Sequence, residues 1–403
     1  MRIGIDASFL RPAARYTGMG VYTVGLVRGL AEIGTQHEIS LLGYGPRPPE
    51  VPEAFTWHQI PLLKAGKASL WLSHQLALPA LARTLSLDLL HVLGVNVRLS
   101  QPGVPFFSPC SLVVTVHDAI PVTYYGKEGP QLPWKLRWGY KLAISAVRRA
   151  RKIITVSETS KTDILTALHL NHTKISVVYN GVTDLPQLTD DQANAELGKL
   201  GVIPPYLLYV GSFEPRKNVL GTIAAYAAAC AQTDLPLLVL VVEPSSGYEA
   251  SVRAKAADHG LERQLKWLHS LSDVALAALY KKATLFVYPS LYEGFGFTPL
   301  QAMQLGVPVI AGKAGAAEEV LGDGACLVDP RDQEALAGAI VRLYHDLEER
   351  QQLRTRGFAR AAAYTWAHAA RRTLEIYEDA GALRSTHGVP SPLIARQEDG
   401  REA

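Results

Sequence analysis

The chain has 403 residues, 48% of them hydrophobic and 19% charged, enough apolar material for two or three folded domains and too little charge for a disordered chain. Its net charge of +3 does not by itself point to nucleic acid. Three cysteines, Cys110, Cys230 and Cys326, lie far apart, make no metal-ligand spacing and suit a reducing compartment. The first residues, Met1-Arg2-Ile3-Gly4-Ile5-Asp6, enter a strand with no signal peptide ahead of it. No apolar run approaches the ~18 residues that span a bilayer, so the expected location is cytoplasmic.

Short apolar runs alternate with helix-period segments. Strands are expected at 2–5, 39–42, 89–92, 112–116, 152–156 and 175–178, then at 206–210, 237–242, 265–268, 285–288, 307–310 and 325–328. Helical patterns lie between them, for example at 21–33, 157–168, 219–231 and 272–281. This alternation predicts an α/β protein with parallel sheets covered by helices on both faces. The charged, Pro-containing stretch 183–205 breaks the series. The expected domains are 1–185 and 206–362, with a linker at 186–205, a helix at 363–380 packing back on the first domain, and a disordered tail at 381–403. Two Rossmann-like, doubly wound domains facing each other leave a central cleft at the carboxyl ends of their strands, where ligands of such sheets bind.

Several segments fall at those ends. Gly18-Met19-Gly20 precedes the helix at 21–33, but the loop at 7–17 is too long for a dinucleotide fingerprint. Taken alone, it reads as a tight helix entry. His117 and Asp118 follow the strand at 112–116. The histidine could hydrogen-bond a ligand hydroxyl or be structural, and the aspartate could orient it or cap the next turn. The segment 127–152 sets Trp134, Trp138 and Tyr140 among eight Lys and Arg residues. It could lie on an anionic membrane, although aromatics packed on their own domain are the favoured reading. A single basic cluster in an otherwise balanced chain fits nucleic acid poorly.

In the second half, Gly211-Ser212-Phe213-Glu214-Pro215-Arg216-Lys217-Asn218 places two cations just before a helix that Asn218 could cap. That helix end already carries partial positive charge, so a bound phosphate would resolve the conflict. The plainer reading is a solvated turn with a bridge from Arg216 to Glu214. Glu293-Gly294-Phe295-Gly296-Phe297-Thr298-Pro299-Leu300-Gln301 leaves a strand and opens a helix with Pro299 at its first position and Leu300, Met303 and Leu305 within it. A Gly-rich turn on a helix N-terminus favours anions, and Glu293 at its mouth is an odd neighbour for phosphate unless it serves another part of the ligand.

Together these segments resemble family 4 glycosyltransferases, retaining enzymes of the two-Rossmann GT-B fold. The resemblance runs to about residue 380. It also includes Thr115-Val116-His117-Asp118, Ile154-Thr155-Val156-Ser157-Glu158, Tyr179-Asn180-Gly181-Val182 and Tyr288-Pro289-Ser290-Leu291-Tyr292. Within the family the chain looks most like bacterial mannosyltransferases of polysaccharide pathways. The resemblance implies that Gly211, Arg216 and Lys217 line the donor diphosphate, helped by amides near Gly294, Phe295 and Gly296. It implies that Glu293 binds donor-sugar hydroxyls, that His117 contacts the sugar's far edge, and that Gly18 and Gly20 allow close approach. His269 and Leu271 would face the base. No metal or cofactor is implied, and the chain contains no Asp-x-Asp. The donor would be GDP-mannose, with a UDP-sugar second, and the acceptor a glycan or lipid-linked glycan reached from the inner membrane face.

The pattern is broken twice. Gln301 stands where the family has a second Glu, eight residues after Glu293. Losing that charge costs about 1–2 kcal/mol of donor binding, although Gln serves equally in a capping box with Thr298. The segment Glu243-Pro244-Ser245-Ser246-Gly247 replaces the usual glycine pair. On these two departures rests the alternative of a GT-B pseudoenzyme acting as a sugar- or partner-binding subunit.

Overall fold

Thirteen strands among the described residues divide into two parallel sheets, one for each half of the chain. The computed structural model describes residues 1–11, 17–96, 100–125, 134–243 and 248–385. The first sheet holds β1 (Arg2–Asp6), β2 (Glu38–Gly43), β3 (Thr56–Gln59), β4 (Leu89–Val92), β5 (Ser111–Thr115), β6 (Lys152–Thr155) and β7 (Ile175–Val177), in the order β3-β2-β1-β4-β5-β6-β7. The second holds β8 (Leu207–Ser212), β9 (Leu238–Glu243), β10 (Leu265–Leu268), β11 (Leu285–Tyr288), β12 (Val309–Gly312) and β13 (Ala325–Val328), in the order β10-β9-β8-β11-β12-β13. The inner strands are buried on both faces, as in β4, β5 and β11, which is why they read as continuous apolar runs. Strand order reverses between β1 and β4 and between β8 and β11, and the carboxyl ends at such points are where α/β sheets bind ligands.

Three elements differ from the expectation. Strand β3 was not anticipated, because Thr-Trp-His-Gln on a half-exposed sheet edge carries no apolar run. The stretch expected as a linker contains the helix Asp190–Leu200, closed by a reciprocal capping box between Thr189 and Gln192. Its Ala193 and Leu197 enter the core of the second half. The last helix, Trp366–Ser385, runs through residues expected to begin the tail, and the rest of that tail, 386–403, lies outside the described residues.

That last helix shares a core with the first half of the chain. Ala369, Ala370, Tyr377 and Ala380 are buried with Ile3, Ile5, Leu26 and Leu30. The Tyr377 hydroxyl lies 2.6 Å from His91 Nδ1, and His91 Nε2 lies 2.8 Å from the Thr115 hydroxyl. Burial pushes His91 down to about 3, so the ring is neutral and serves as a buried hydrogen-bonding spacer. Helix Gly18–Ile33 meets Trp366 through Gly25 and Gly29, where an added Cβ would strike the Trp366 ring and its carbonyl oxygen respectively. Gly29→Ala gains about 1 kcal/mol of helix propensity. Its clash is with backbone, which cannot rotate away, and overpacking costs about 1–3 kcal/mol. We expect a net loss of stability in urea unfolding, and an unchanged midpoint would contradict this packing.

Candidate active site

The two cations announced by the sequence stand at the carboxyl end of β8, on the short turn Pro215–Lys217. Across the switch point, β11 ends at Tyr288 and leads into Glu293. The geometry brings these groups together. Lys217 Nζ donates to Glu293 Oε1 at 2.7 Å and to the Tyr288 hydroxyl at 2.6 Å, and Arg216 Nη1 donates to Glu293 Oε2 at 3.1 Å. The Ser290 hydroxyl and the Tyr288 hydroxyl also donate to Oε1, at 2.7 and 3.0 Å. Arg216 Nε meets Glu214 at 2.7 Å, so the plainer bridge exists alongside the larger cluster.

Burial alone would raise the Glu293 carboxyl, but Lys217 and Arg216 outweigh it and hold the group at about 2. Burial pulls the Lys217 ammonium below its ordinary value, with Glu293 opposing. For Arg216 burial is outweighed by Glu293 and Glu214, which hold its charge more firmly than in water. The side chains of Glu293, Lys217 and Arg216 remain 12, 14 and 15% exposed. The cluster is therefore charged, preorganised and still within reach of a ligand.

Asn218 does not cap the following helix. It sits at the N-cap position in the left-handed region (φ 55°), and its side-chain amide bridges the carbonyls of Pro289 and Pro330 at 3.0 and 2.8 Å. This ties the cation turn to the loop after β11. The helix after Glu293 spans Phe297–Gln304, with Gly296 as N-cap at φ 99° and no side-chain cap. Pro299 is thus its third residue, Leu305 lies just past its end, and the expected capping box does not form. Gln301 Nε2 instead donates to the Thr183 carbonyl at 3.3 Å, which leaves the amide oxygen to accept.

The other sheet supplies His117 and Asp118 after β5. His117 Nε2 donates to the Leu93 carbonyl at 2.9 Å, and its ring meets Tyr22 edge-on at 4.7 Å. Burial, opposed by that hydrogen bond, pushes it down to about 4, so at neutral pH it is uncharged. Asp118 Oδ1 accepts from the Ile120 amide at 3.0 Å and caps the next turn. Burial raises the Asp118 carboxyl, with Arg216 opposing. A Cβ on Gly294 would lie 2.9 Å from that of Asp118, so the two halves meet at this glycine. Gly18, Met19 and Gly20 form the first turn of helix Gly18–Ile33 rather than a loop before it, with Thr17 accepting from the Gly20 amide at 3.3 Å. Gly211 extends β8, where a Cβ would crowd the Tyr209 hydroxyl at 2.6 Å.

Phe295 is buried against Phe297 and Tyr364. His269 follows β10, with Nδ1 2.6 Å from the Val242 carbonyl, and Leu271 packs against the second core. Of the altered loop, β9 reaches Glu243 and residues 244–247 lie outside the described residues. Among the described residues no His, Cys, Asp and Glu cluster could hold a metal. Sequence reasoning missed Tyr288 and Ser290 as partners of Glu293. Both lie in the segment that carried the resemblance, and only the end of β11 decides which way they point.

Residues 16–184 match the family model described as Glycosyltransferase Family 4, and residues 198–360 match the one described as Glycosyl transferases group 1. The chain belongs to glycosyltransferase family 4. Over 382 residues this family 4 enzyme is 28% identical to the O-antigen chain mannosyltransferase B of Escherichia coli, covering 90% of this chain and 96% of that relative. Sucrose-phosphate synthase from Thermosynechococcus elongatus has a similar structure, with a TM-score of 0.75 at 22% identity over 95% of this chain and 100% of that one. Anabaena HepE in complex with UDP and glucose gives a TM-score of 0.71 at 18% identity over 94% and 99% of the two chains. The shared architecture is the GT-B fold. Nothing in these likenesses favours a non-catalytic subunit.

A carboxyl depressed from 4.5 to about 2 adds stability that is complete above pH 4.5 and disappears as pH falls toward 2. Glu293→Gln removes that contribution and leaves Lys217 buried without its counter-charge. At pH 7 the variant should be less stable by on the order of 3 kcal/mol. The gap should narrow as pH falls through that window, read as urea midpoints; a gap constant with pH would refute the assigned pairing.

Proposed function

We propose that this family 4 enzyme is a retaining transferase that moves a hexosyl unit, mannose from GDP-mannose first and a sugar from a UDP donor second, to a glycan or lipid-linked glycan acceptor in cell-surface polysaccharide synthesis. The observation that carries this reading is the Glu293 carboxylate held between Arg216 and Lys217 at the β8–β11 switch point. Departure of a nucleoside diphosphate builds charge on its phosphates, and fixed cations stabilise that charge as it forms. The two cations take the role that a divalent metal would otherwise fill, without a cofactor. As the diphosphate shares them, Glu293 is freed to accept hydrogen bonds from sugar hydroxyls.

Retention follows if the C1–oxygen bond to phosphate breaks while the acceptor oxygen bonds to C1 on the same face. The acceptor's proton then passes to the departing phosphate oxygen. This assigns no protein base, and the uncharged His117 contacts the sugar's edge as a hydrogen-bonding group. The name of the Escherichia coli relative supports mannose, and the UDP and glucose of the Anabaena structure keep the UDP-sugar second.

The helix Trp134–Val147 supports peripheral contact with the inner membrane face. Trp134 and Trp138 are 73 and 58% exposed, against the expectation that the aromatics pack inward, and only Tyr140 joins the core. Arg137 and Lys141 are exposed beside them at helical spacing, a pattern suited to anionic lipid. Residues 126–133 of the basic segment lie outside the described residues. Among the described residues no helix is long and apolar enough to cross a membrane.

A thermal-shift screen with GDP, UDP, ADP and their sugars should show a rise for GDP or UDP, since bound ligand stabilises by mass action. Lys217→Ala should abolish that rise and lower kcat/KM by about tenfold or more; full activity in this variant would remove the site assignment. The double variant Trp134→Ala/Trp138→Ala should lose retention on anionic liposomes at low salt. Equal retention of variant and wild type, or none by either, would end the membrane reading.

A further inference from the structure

The cluster around Glu293 explains where its side chain points, but a separate set of contacts fixes the loop that carries it. Two buried hydroxyls from the N-terminal half converge on the carbonyl of Gly294. Ser157 Oγ donates to it at 2.8 Å and Ser160 Oγ at 3.1 Å. Ser157 is also the N-cap of helix Glu158–Leu168, its hydroxyl accepting from the Ser160 amide at 3.0 Å. One side chain therefore caps a helix in the first half and holds a loop of the second.

Beside this contact, Glu319 of the second half reaches onto the same helix. Its carboxylate accepts from the Glu158 and Thr159 amides at 2.7 and 3.0 Å and from the Thr159 hydroxyl at 2.7 Å. The Tyr179 hydroxyl donates to it at 2.7 Å. Burial would lift this carboxyl, but the four donors outweigh it and hold it below the usual range. The first-turn amides of Glu158, Thr159 and Ser160 are thereby all occupied by protein groups, which leaves this helix N-terminus no free amide there for a phosphate. The segment leading to Glu319 is in turn fastened to the donor loop. The Ala316 amide donates to the Glu293 carbonyl at 2.9 Å, and a Cβ on Gly315 would collide with the same stretch of backbone.

Residues 293 and 294 are thus gripped on one flank by Ser157 and Ser160 of the first half and on the other by the Gly315–Ala316 turn of the second, which Glu319 ties back to the first. We infer that Ser157, Ser160 and Glu319 are positioning residues of the transfer reaction, holding the peptide between Glu293 and Gly294 in register with Arg216 and Lys217 across the domain interface. This rests on the proposed role of Glu293 toward the donor. Diphosphate affinity, which rests mainly on Arg216 and Lys217, depends on them only weakly; turnover, which needs Glu293 correctly placed, depends on them strongly.

The test uses the full chain with Ser157→Ala/Ser160→Ala, Glu319→Gln and the hydroxyl-keeping Ser157→Thr. Three quantities are read: amide hydrogen exchange at 291–296 without ligand, GDP and UDP binding, and turnover of whichever of GDP-mannose or UDP-glucose the wild type consumes. In the double variant and in Glu319→Gln, exchange at 291–296 should accelerate and kcat fall, each by about tenfold or more. Nucleotide affinity should stay within about threefold, and Ser157→Thr should keep most of the turnover. Unchanged exchange and kcat would overturn the inference. So would a parallel loss of affinity, turnover and melting temperature, which marks a general support of the fold. Should the double variant fail to fold, Glu319→Gln decides. If the wild type consumes neither donor, the donor reading falls, and the exchange measurement alone still decides whether these residues fix the loop.

Discussion

The pairing of one carboxylate with two cations at the β8–β11 switch point is the constraint around which the second half is arranged. A buried Lys or Arg without a partner is unfavourable by several kcal/mol, and so is an unpaired Glu. Once Arg216 and Lys217 are committed to a turn that faces the interior of a cleft, a counter-charge must be supplied from the loop opposite. The surrounding polar groups follow from that requirement. Tyr288 and Ser290 fill the remaining hydrogen-bonding capacity of Glu293 Oε1, and Asn218 gives up its cap to bind two carbonyls that hold the turn against the loop. The arrangement conveys an economy of charge: the carboxylate that stabilises the folded protein is the one proposed to meet the sugar.

The first sheet contributes little charge to this centre and much shape. His117 is neutral, Asp118 is spent on a turn, and Gly294 is the point at which the sheets' carboxyl ends come close enough to exclude a side chain. A glycine here is demanded by contact with the opposite half rather than by its own backbone angles. The loop that bears Glu293 is therefore a composite, with its sequence in one domain and its restraints divided between two.

Much of this was legible in the chain. All twelve anticipated strands are present to within about two residues, because strands buried on both faces carry unbroken apolar runs that no surface requirement interrupts. The cation turn and Glu293 were legible because charged residues beside glycine and proline at strand ends have few structural explanations. What escaped were features settled by tertiary packing. Strand β3 has its place on a sheet edge, where one tryptophan is signal enough to fold but not to read. Asn218 and Pro299 follow local capping rules in sequence and break them in space, because the carbonyls of Pro289 and Pro330 and the left-handed Gly296 offer better partners or entry angles. Trp134 and Trp138 were expected to hide and do not, since hydrophobicity does not say which face of a helix is covered. Glu319 carries no local signal that sets it apart from other carboxylates, and only its partner helix, some 160 residues away, distinguishes it.

The return of the last helix to the first domain has a consequence for how the molecule is made. Tyr377, Ala369 and Ala370 belong to the core begun by Ile3 and Ile5, so strand β1 waits for a helix made after the whole second sheet. The second sheet, whose core is drawn from residues 156 to 361, can close while the first is still missing a wall. Synthesis order and completion order are thus reversed. The first domain becomes whole only after the second sheet has been made, by which time the domain it must face already has a finished surface on which to assemble.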